Sequence, residues 1–153
     1  MRIAVCFSGM IRAGSSATKN IELFLGELFD RCDFFIHTWN MEHHNPLVGE
    51  DYNHWIDNCS PCLLDNSKII ELDRYYKFKG IEIDEYSTTE KDINIRLKSF
   101  IRSLPDDHPW WLPWFYSWHR SVLLKAEYED KNNFKYDYVI KLRPDVIFRP
   151  GIN

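Results

Sequence analysis

Tyr136-Asp137-Tyr138-Val139-Ile140-Lys141-Leu142-Arg143-Pro144-Asp145-Val146-Ile147-Phe148 is the stretch that decides the fold. Tyr, Val, Ile and Leu crowd a short run that stops at a proline, which has no N–H for a sheet ladder, so the stretch predicts a β-strand. Because side chains alternate along a strand, Ile140 and Leu142 share one face, while Lys141, Arg143 and Asp145 share the other. Packing alone explains such a strand end poorly, since charged groups are seldom buried without partners. In an open α/β sheet, ligands bind beyond the carboxyl ends of the strands, which is where we expect Arg143 and Asp145.

The chain before this stretch alternates strands and helices. Apolar runs at 2–7 and 33–39 predict two buried strands, and a third strand is predicted at 68–72. Apolar residues at helical spacing predict a helix through residue 29 that begins near Ser15, Ser16 or Thr18, and further helices at about 88–103 and 115–131. Residues 41–66 predict an irregular insertion. This order predicts one α/β domain over 1–153, a three-layer α/β/α sandwich with a mostly parallel, twisted sheet.

Composition limits the classes of function. With 153 residues, 44% of them hydrophobic, the chain has the size and composition of one folded domain. A formal net charge of -4 argues against a general affinity for nucleic acid or an anionic membrane. No run reaches the roughly 18 to 20 apolar residues of a membrane span, and the first residues lack an export signal. We therefore expect a cytoplasmic protein without a membrane span, whose cysteines are reduced thiols.

The loop after the first strand is the first candidate binding element. Ser8, Gly9, Arg12 and Gly14 lie between a buried strand and a helix start. Backbone N–H groups and the positive end of the helix converge there, and Arg12 adds a forked donor that suits a phosphate or a carboxylate. The loop is neither a Walker loop nor Gly-x-Gly-x-x-Gly. The alternative is a flexible turn that carries a surface arginine.

Arg143-Pro144-Asp145 is the second candidate. Asp145 offers a carboxylate to Mg²⁺, Mn²⁺ or sugar hydroxyls, and Arg143 offers a positive charge to a diphosphate. The alternative is a structural ion pair between Arg143 and Asp145 that closes the strand.

Other chemically suggestive residues favour structural interpretations. Cys59 and Cys62 have the spacing of half a zinc site, but no second half follows, so the sequence predicts neither a zinc site nor a redox site. A lone histidine such as His37 is more often structural. The tryptophan-rich segment 109–118 favours core packing or an interface for Trp110, Trp111 and Trp114, with Trp118 and His119 undecided.

Segments 3–12, 32–39, 116–122 and 136–148, in this order and spacing, resemble a group of bacterial and viral glycosyltransferases of the GT-A, nucleotide-diphospho-sugar transferase type. The resemblance implies a Rossmann-like nucleotide-binding half in which Phe7, Ser8, Gly9 and Arg12 hold the nucleotide. It also implies that Asp145 is the last carboxylate of an Asp-x-Asp motif that binds Mn²⁺ or Mg²⁺. Arg143 stands where the first aspartate is expected, so a positive charge could neutralise the diphosphate in place of a metal ion.

The resemblance further implies transfer of a sugar from a nucleotide-sugar donor to a saccharide acceptor in surface polysaccharide synthesis. The acceptor-binding half normally follows the carboxylate motif, and the sequence stops at Asn153. We therefore expect a donor-binding half without an acceptor lobe. The alternative is a non-catalytic, truncated module that binds nucleotide or a partner protein. An aromatic surface left without a second lobe would favour a homo-oligomer.

Overall fold

The computed structural model describes residues 1–11, 15–44, 61–89, 91–93 and 112–148. Residues 86–89 and 91–93 are helical. The other elements, in chain order, are β1 (Ile3–Ser8), α1 (Ser15–Leu25), a 3₁₀ helix (Gly26–Arg31), β2 (Cys32–Trp39), β3 (Met41–His44), β4 (Pro61–Leu63), α2 (Asn66–Tyr76), β5 (Gly80–Asp84), α3 (Leu112–Asn132) and β6 (Tyr138–Leu142).

Four of the strands form one parallel sheet in the order β5-β2-β1-β6. β1 lies in the middle, and all six of its residues are buried, as the continuous apolar run predicts. The sheet with its helices confirms the α/β class and the strands predicted at 2–7, 33–39 and 136–148. The Rossmann-like, GT-A form of this class stays a prediction.

Helices pack against both faces of the sheet. On one face, Val5, Phe7 and Leu142 pack with apolar residues of α1 and α2. On the other face, Ala4, Cys6 and Phe35 pack with side chains of α3 that include Val122, Leu124 and Tyr128. Consequently α1, which follows β1 in sequence, and α3, which precedes β6, lie on opposite faces of the sheet.

The strand predicted at 68–72 is wrong, because this stretch lies in α2. The Asp65 side chain accepts a hydrogen bond from the Ser67 N–H and so caps the helix. Ile69, Leu72 and Tyr76 recur at helical spacing and are buried. Three apolar residues within five do not by themselves distinguish the two structures, and the capping signal before them decides for the helix.

The third strand of the parallel sheet is instead β5, whose alternating Ile81 and Ile83 went unrecognised. Within 41–66, β3 and β4 pair antiparallel, so the described part of the predicted insertion is partly regular, while 45–60 lie outside the described residues. The helix predicted at 115–131 is confirmed as α3, which begins three residues earlier. Most of the helix predicted at 88–103 lies outside the described residues.

Within the described ranges, none of the helices combines the length and the apolar character that crossing a bilayer requires.

Candidate functional site

The strand order of the sheet reverses between β1 and β6. From β1, the chain proceeds to β2 and β5 on one side, and then returns to β6 on the other side. In open α/β sheets, the ligand crevice forms beyond the carboxyl ends of the two strands at such a reversal, because the flanking helices leave toward opposite faces. Phe7 pairs with Leu142 in the register, so Ser8 and Arg143 are the next residues of these two strands.

At the end of β6, Arg143 and Asp145 form a bidentate ion pair. Arg143 Nε lies 2.9 Å from Asp145 Oδ1, and Nη2 lies 2.8 Å from Oδ2. The structural ion pair, which is the alternative interpretation of Arg143 and Asp145, is therefore present. The pair still leaves three of the five guanidinium N–H donors for another partner, because it uses two. The Arg143 side chain is 46% exposed and that of Asp145 is 12% exposed, so the positive charge faces solvent more than the carboxylate does.

The segment after this ion pair packs against α1. The Phe148 ring stacks on that of Phe24 at 3.8 Å between centroids. Asn20 Nδ2 donates to the Phe148 carbonyl at 2.9 Å, and the Phe148 N–H donates to Asn20 Oδ1. These contacts hold the turn that carries Arg143 and Asp145 against the helix that follows β1.

The described residues do not fit a divalent metal at Asp145. Both of its carboxylate oxygens accept hydrogen bonds from Arg143. Hard cations take several oxygen ligands, whereas the described ranges hold no group of three or more His, Cys, Asp or Glu side chains that could bind one. In this arrangement Asp145 orients Arg143.

The residues at the end of β1 differ in their packing and in their hydrogen bonds. Phe7 is 1% exposed and packs on Phe34, Tyr76 and Phe78, so its ring lies in the core. Ser8 Oγ is buried and has no hydrogen-bond partner among the described residues. Buried hydroxyls without partners are uncommon, but Ser8 is as buried as Ser117, so this hydroxyl is not exposed to a ligand. Arg12 and Gly14, the other polar and glycine positions of the loop, lie outside the described residues.

The backbone turn at Gly9 is held from inside the protein. Its φ is 112°, a conformation that favours glycine. Its N–H donates to Ser117 Oγ at 2.9 Å and lies 3.3 Å from the His37 carbonyl oxygen. Gly9 therefore shapes the rim, and its N–H already has partners within the protein.

Ser117, His37 and Asp84 form a buried row next to this turn. Ser117 Oγ lies 2.8 Å from His37 Nδ1, and His37 Nε2 lies 3.3 Å from Asp84 Oδ2. Burial lowers the pKa of His37, although Asp84 opposes this effect. The row has the residue types of a hydrolytic triad, but Ser117 and His37 are fully buried. Because no substrate could reach Ser117 Oγ, the row positions Gly9, and His37 is structural, as the sequence favoured.

Sequence reasoning missed Ser117, Asp84 and Tyr116 as parts of this end of the sheet. Tyr116 Oη donates to Asp84 Oδ2 at 2.8 Å, and its ring stacks on Trp39 at 5.8 Å. These partners lie 32 to 80 positions apart in sequence, so no local pattern indicates them.

The described tryptophans of the aromatic segment surround Lys141. Its ammonium lies 3.4 Å from the centre of a Trp114 ring and 4.1 Å from that of a Trp118 ring. Burial lowers the pKa of Lys141. Trp114 and Trp118 remain 39% and 37% exposed, so they cover the lysine and face solvent. Trp110 and Trp111 lie outside the described residues.

The described cysteines have the properties of unreactive thiols. Burial raises the pKa of Cys6 to about 12 and that of Cys32 to about 11. Thiolates are the reactive form, so neither residue is suited to nucleophilic or redox chemistry at neutral pH. The side chains of Cys59 and Cys62, on which the zinc and redox hypotheses depend, lie outside the described residues.

Comparisons with known proteins give no relative: no protein-family model matches the sequence, and neither a curated protein nor a solved structure is detectably similar to it.

Proposed function

We propose that the chain binds a nucleoside-diphosphate sugar in the crevice beyond β1 and β6, and that it is a glycosyltransferase of GT-A type or its donor-binding half. The observation that carries the proposal is the reversal of strand order between these two strands, with the exposed Arg143 directly after the end of β6. The resemblance of segments 3–12, 32–39 and 136–148 to such transferases supports the same assignment.

Arg143 is the residue that would contact the diphosphate. The ion pair with Asp145 fixes the plane of the guanidinium and leaves N–H donors for phosphate oxygens. In the proposed reaction, the bond between the anomeric carbon and the diphosphate oxygen breaks, a bond to the acceptor hydroxyl oxygen forms, and the proton of that hydroxyl passes to the departing diphosphate or to solvent. Arg143 offsets the charge on the departing diphosphate, and Asp145 acts through Arg143 as a positioning residue.

Calorimetric titration tests the proposal. UDP, GDP, CMP and their sugars are titrated into the protein with and without Mn²⁺. We expect heat from at least one of them, and we expect Arg143→Ala to weaken that binding about tenfold or more, as loss of a charged hydrogen bond does. The matched control is Arg31→Ala, an exposed arginine in the 3₁₀ helix just before β2, at the amino ends of the strands and so at the opposite end of the sheet from Arg143. Absence of heat with every nucleotide, or equal losses in both variants, would contradict the proposal.

A second candidate, a protein-interaction module, is favoured by the aromatic surface of α3. Trp114, Phe115 and Trp118 lie together and are each more than a third exposed. Neighbouring exposed aromatic side chains are typical of interaction surfaces. Nucleotide titrations without heat, together with a partner whose binding is lost in Trp118→Ala, would support this candidate over the transferase.

A further inference from the structure

The hydroxyl of Ser117 has three contacts near the carboxyl ends of β1 and β2. The Gly9 N–H donates to Ser117 Oγ at 2.9 Å. His37 Nδ1 lies 2.8 Å from the same oxygen, and the His37 carbonyl oxygen lies 3.2 Å from it. A serine hydroxyl has one proton to donate. The shorter contact indicates that this proton points to Nδ1, so the neutral ring carries its own proton on Nε2.

The Nε2 atom of His37 faces a carboxylate. It lies 3.3 Å from Asp84 Oδ2, longer than the about 2.7–2.9 Å of a hydrogen bond between charged groups. Asp84 is held in place, because its carboxylate accepts the Tyr116 hydroxyl at 2.8 Å and its carbonyl accepts the Asn40 N–H at 2.8 Å. We therefore expect a charged His37 ring to move toward Asp84, rather than the carboxylate toward the ring.

Such a movement weakens the contact of the ring with Ser117. The two ring nitrogens point away from each other, so the approach of Nε2 to Asp84 draws Nδ1 away from Ser117 Oγ. A proton on Nδ1 also turns this atom from an acceptor into a donor. The Ser117 hydroxyl must then donate to the His37 carbonyl oxygen, which already lies 3.3 Å from the Gly9 nitrogen. Both effects loosen the turn at Gly9.

Titratable and charged side chains reach His37 from two elements. They are Asp84 and Glu82 on β5, and Tyr116 and Arg120 on α3. On its other side, β1 places Ser8 opposite His37, and serine does not titrate. Glu82 and Arg120 form a bidentate ion pair, so their effects on the charge of the imidazole oppose each other. Burial lowers the pKa of His37 from 6.5, although Asp84 opposes this effect, so we expect proton uptake below pH 6.5.

We propose that His37 is a proton-operated latch of the turn at Gly9. The neutral ring holds the Ser117 hydroxyl, which holds the Gly9 N–H, and a proton on Nδ1 weakens both contacts. The turn directly follows β1, at the crevice proposed for the nucleotide, so we expect ligand binding there to weaken on acidification. This effect on binding rests on the proposed function, whereas the latch itself does not.

Nuclear magnetic resonance of the wild-type protein tests the latch. Imidazole ¹⁵N spectra from pH 7.5 to pH 4.5 should show His37 neutral, with its proton on Nε2, at pH 7.5, and a titration midpoint below 6.5. Over the same range, the hydrogen-exchange protection of the Gly9 amide should fall at least about tenfold, as for the net loss of one hydrogen bond. The control is the Lys79 amide, which donates to the Phe34 carbonyl at the other end of the sheet and should keep its protection.

Variants separate the latch from general acid destabilisation. His37→Asn keeps a polar group near the position of Nδ1 but takes up no proton, so it should remove the pH dependence of Gly9 protection. Asp84→Asn removes the neighbouring negative charge and should shift the His37 midpoint to lower pH. His119→Ala, which replaces an exposed histidine of α3, is the matched control and should leave the midpoint unchanged.

Nucleotide binding tests the link to the crevice. UDP, GDP and CMP are titrated calorimetrically at pH 7.5 and pH 5.5 into wild type and His37→Asn, and a loss at pH 5.5 that is larger in wild type supports the link. Absence of heat at both pH values would remove the proposed function and leave the latch, which Gly9 protection tests alone. Gly9 protection that does not follow the His37 titration, or a His37 ring that stays neutral to pH 4.5, would overturn the inference.

Discussion

Ser117 joins parts of the chain that are distant in sequence, because its hydroxyl contacts Gly9 and His37 across 108 and 80 positions. These contacts could not be predicted from the sequence. The helical pattern of 115–131 places Ser117 on α3, but it gives no information about which strand end the hydroxyl meets. The sequence indicates His37, near the end of β2, as a notable residue. Its contact with Ser117 depends on how α3 packs on the sheet, which the sequence does not indicate.

We expect Ser117→Ala to destabilise the protein by about 1–3 kcal/mol, because it removes the hydroxyl partner of the buried His37 Nδ1 and the shorter of the two hydrogen bonds of the Gly9 N–H. Urea unfolding followed by circular dichroism measures this change. Ser121→Ala is the matched control, since Ser121 is equally buried on α3 but its hydroxyl, among the described residues, donates only to the Trp118 carbonyl of the same helix. Alanine favours helices, so the control should change stability by less than about 0.5 kcal/mol. Equal effects of the two substitutions would show that Ser117 is not a special contact.

Glu129 gives the protein a dependence on acid pH. Burial alone would raise its pKa, but the Tyr136 N–H and the ammonium groups of Lys125 and Lys135 outweigh burial and lower it from 4.5 to about 2. A lowered pKa contributes stability that is fully present above the unfolded value and is lost as the pH falls through the folded value. The contribution of Glu129 should therefore decline between about pH 4.5 and pH 2.

Glu129→Gln should remove this part of the acid dependence and lower stability at pH 7 by about 1.5–3 kcal/mol, the range for hydrogen bonds to charged groups. The free energy of unfolding is measured at pH 7, 5, 4 and 3 in both proteins. The difference between wild type and variant should shrink toward the lowest pH. A difference that stays constant would mean that the ionised carboxylate is not the stabilising form. Asp130→Asn, an exposed neighbour that contacts only Lys135 among the described residues, is the control.

At the level of elements, sequence patterns predicted the buried strands β1 and β2, missed β5 and wrongly placed a strand within α2. β1 and β2 are continuous apolar runs, and continuous runs belong to central parallel strands. β5 alternates Ile81-Glu82-Ile83-Asp84, but its isoleucines are the exposed residues, whereas Glu82 and Asp84 accept hydrogen bonds from side chains of α3. The apolar pair Ile69-Ile70 led to the prediction of a strand within α2. Of these two residues, Ile69 is buried and Ile70 is exposed.

Packing of α3 on the sheet depends on Gly80 at the start of β5. A Cβ atom at this position would lie 3.2 Å from Leu124 Cβ and 3.4 Å from Phe35 Cδ1. Because Leu124 Cβ is fixed by the helix backbone, α3 has to shift to make room. We expect Gly80→Ala to destabilise the protein by about 1–3 kcal/mol, the usual cost of overpacking. Combining Gly80→Ala with Leu124→Ala tests which atoms of Leu124 cause the overpacking, because the double variant lacks the Leu124 Cδ2 atom that lies 3.5 Å from the added Cβ.

In that double variant, the two losses should add if Leu124 Cβ itself is the obstacle, because alanine retains this atom. They should be less than additive if the outer part of the leucine is responsible. Urea unfolding of the four proteins in the cycle gives the coupling. An unchanged stability in Gly80→Ala alone would show that α3 is not tightly packed on β5.

On the scale of the whole molecule, the edges of the sheet determine whether the protein is a monomer or self-associates. Among the described strands, β6 lies at one edge of the sheet, and its Tyr138 and Val139 are 60% and 48% exposed. Edge strands with exposed apolar residues pair readily with another strand, and natural edges usually carry charges that prevent it. The ammonium group of the one charged residue within β6, Lys141, lies over two tryptophan rings instead. The exposed surface of Trp114 and Trp118 adjoins this edge through those contacts.

We therefore predict self-association through antiparallel pairing of β6 with β6 of a second copy, which would extend the sheet across a twofold axis. Sedimentation velocity over a concentration series should show a dimer that increases with concentration. Val139→Lys should shift the equilibrium to the monomer, because it places a positive charge where the two strands meet. Ile83→Lys is the control on the opposite edge strand, where the isoleucine is 41% exposed. A monomer at every concentration, or a dimer that only Ile83→Lys dissociates, would contradict pairing through β6.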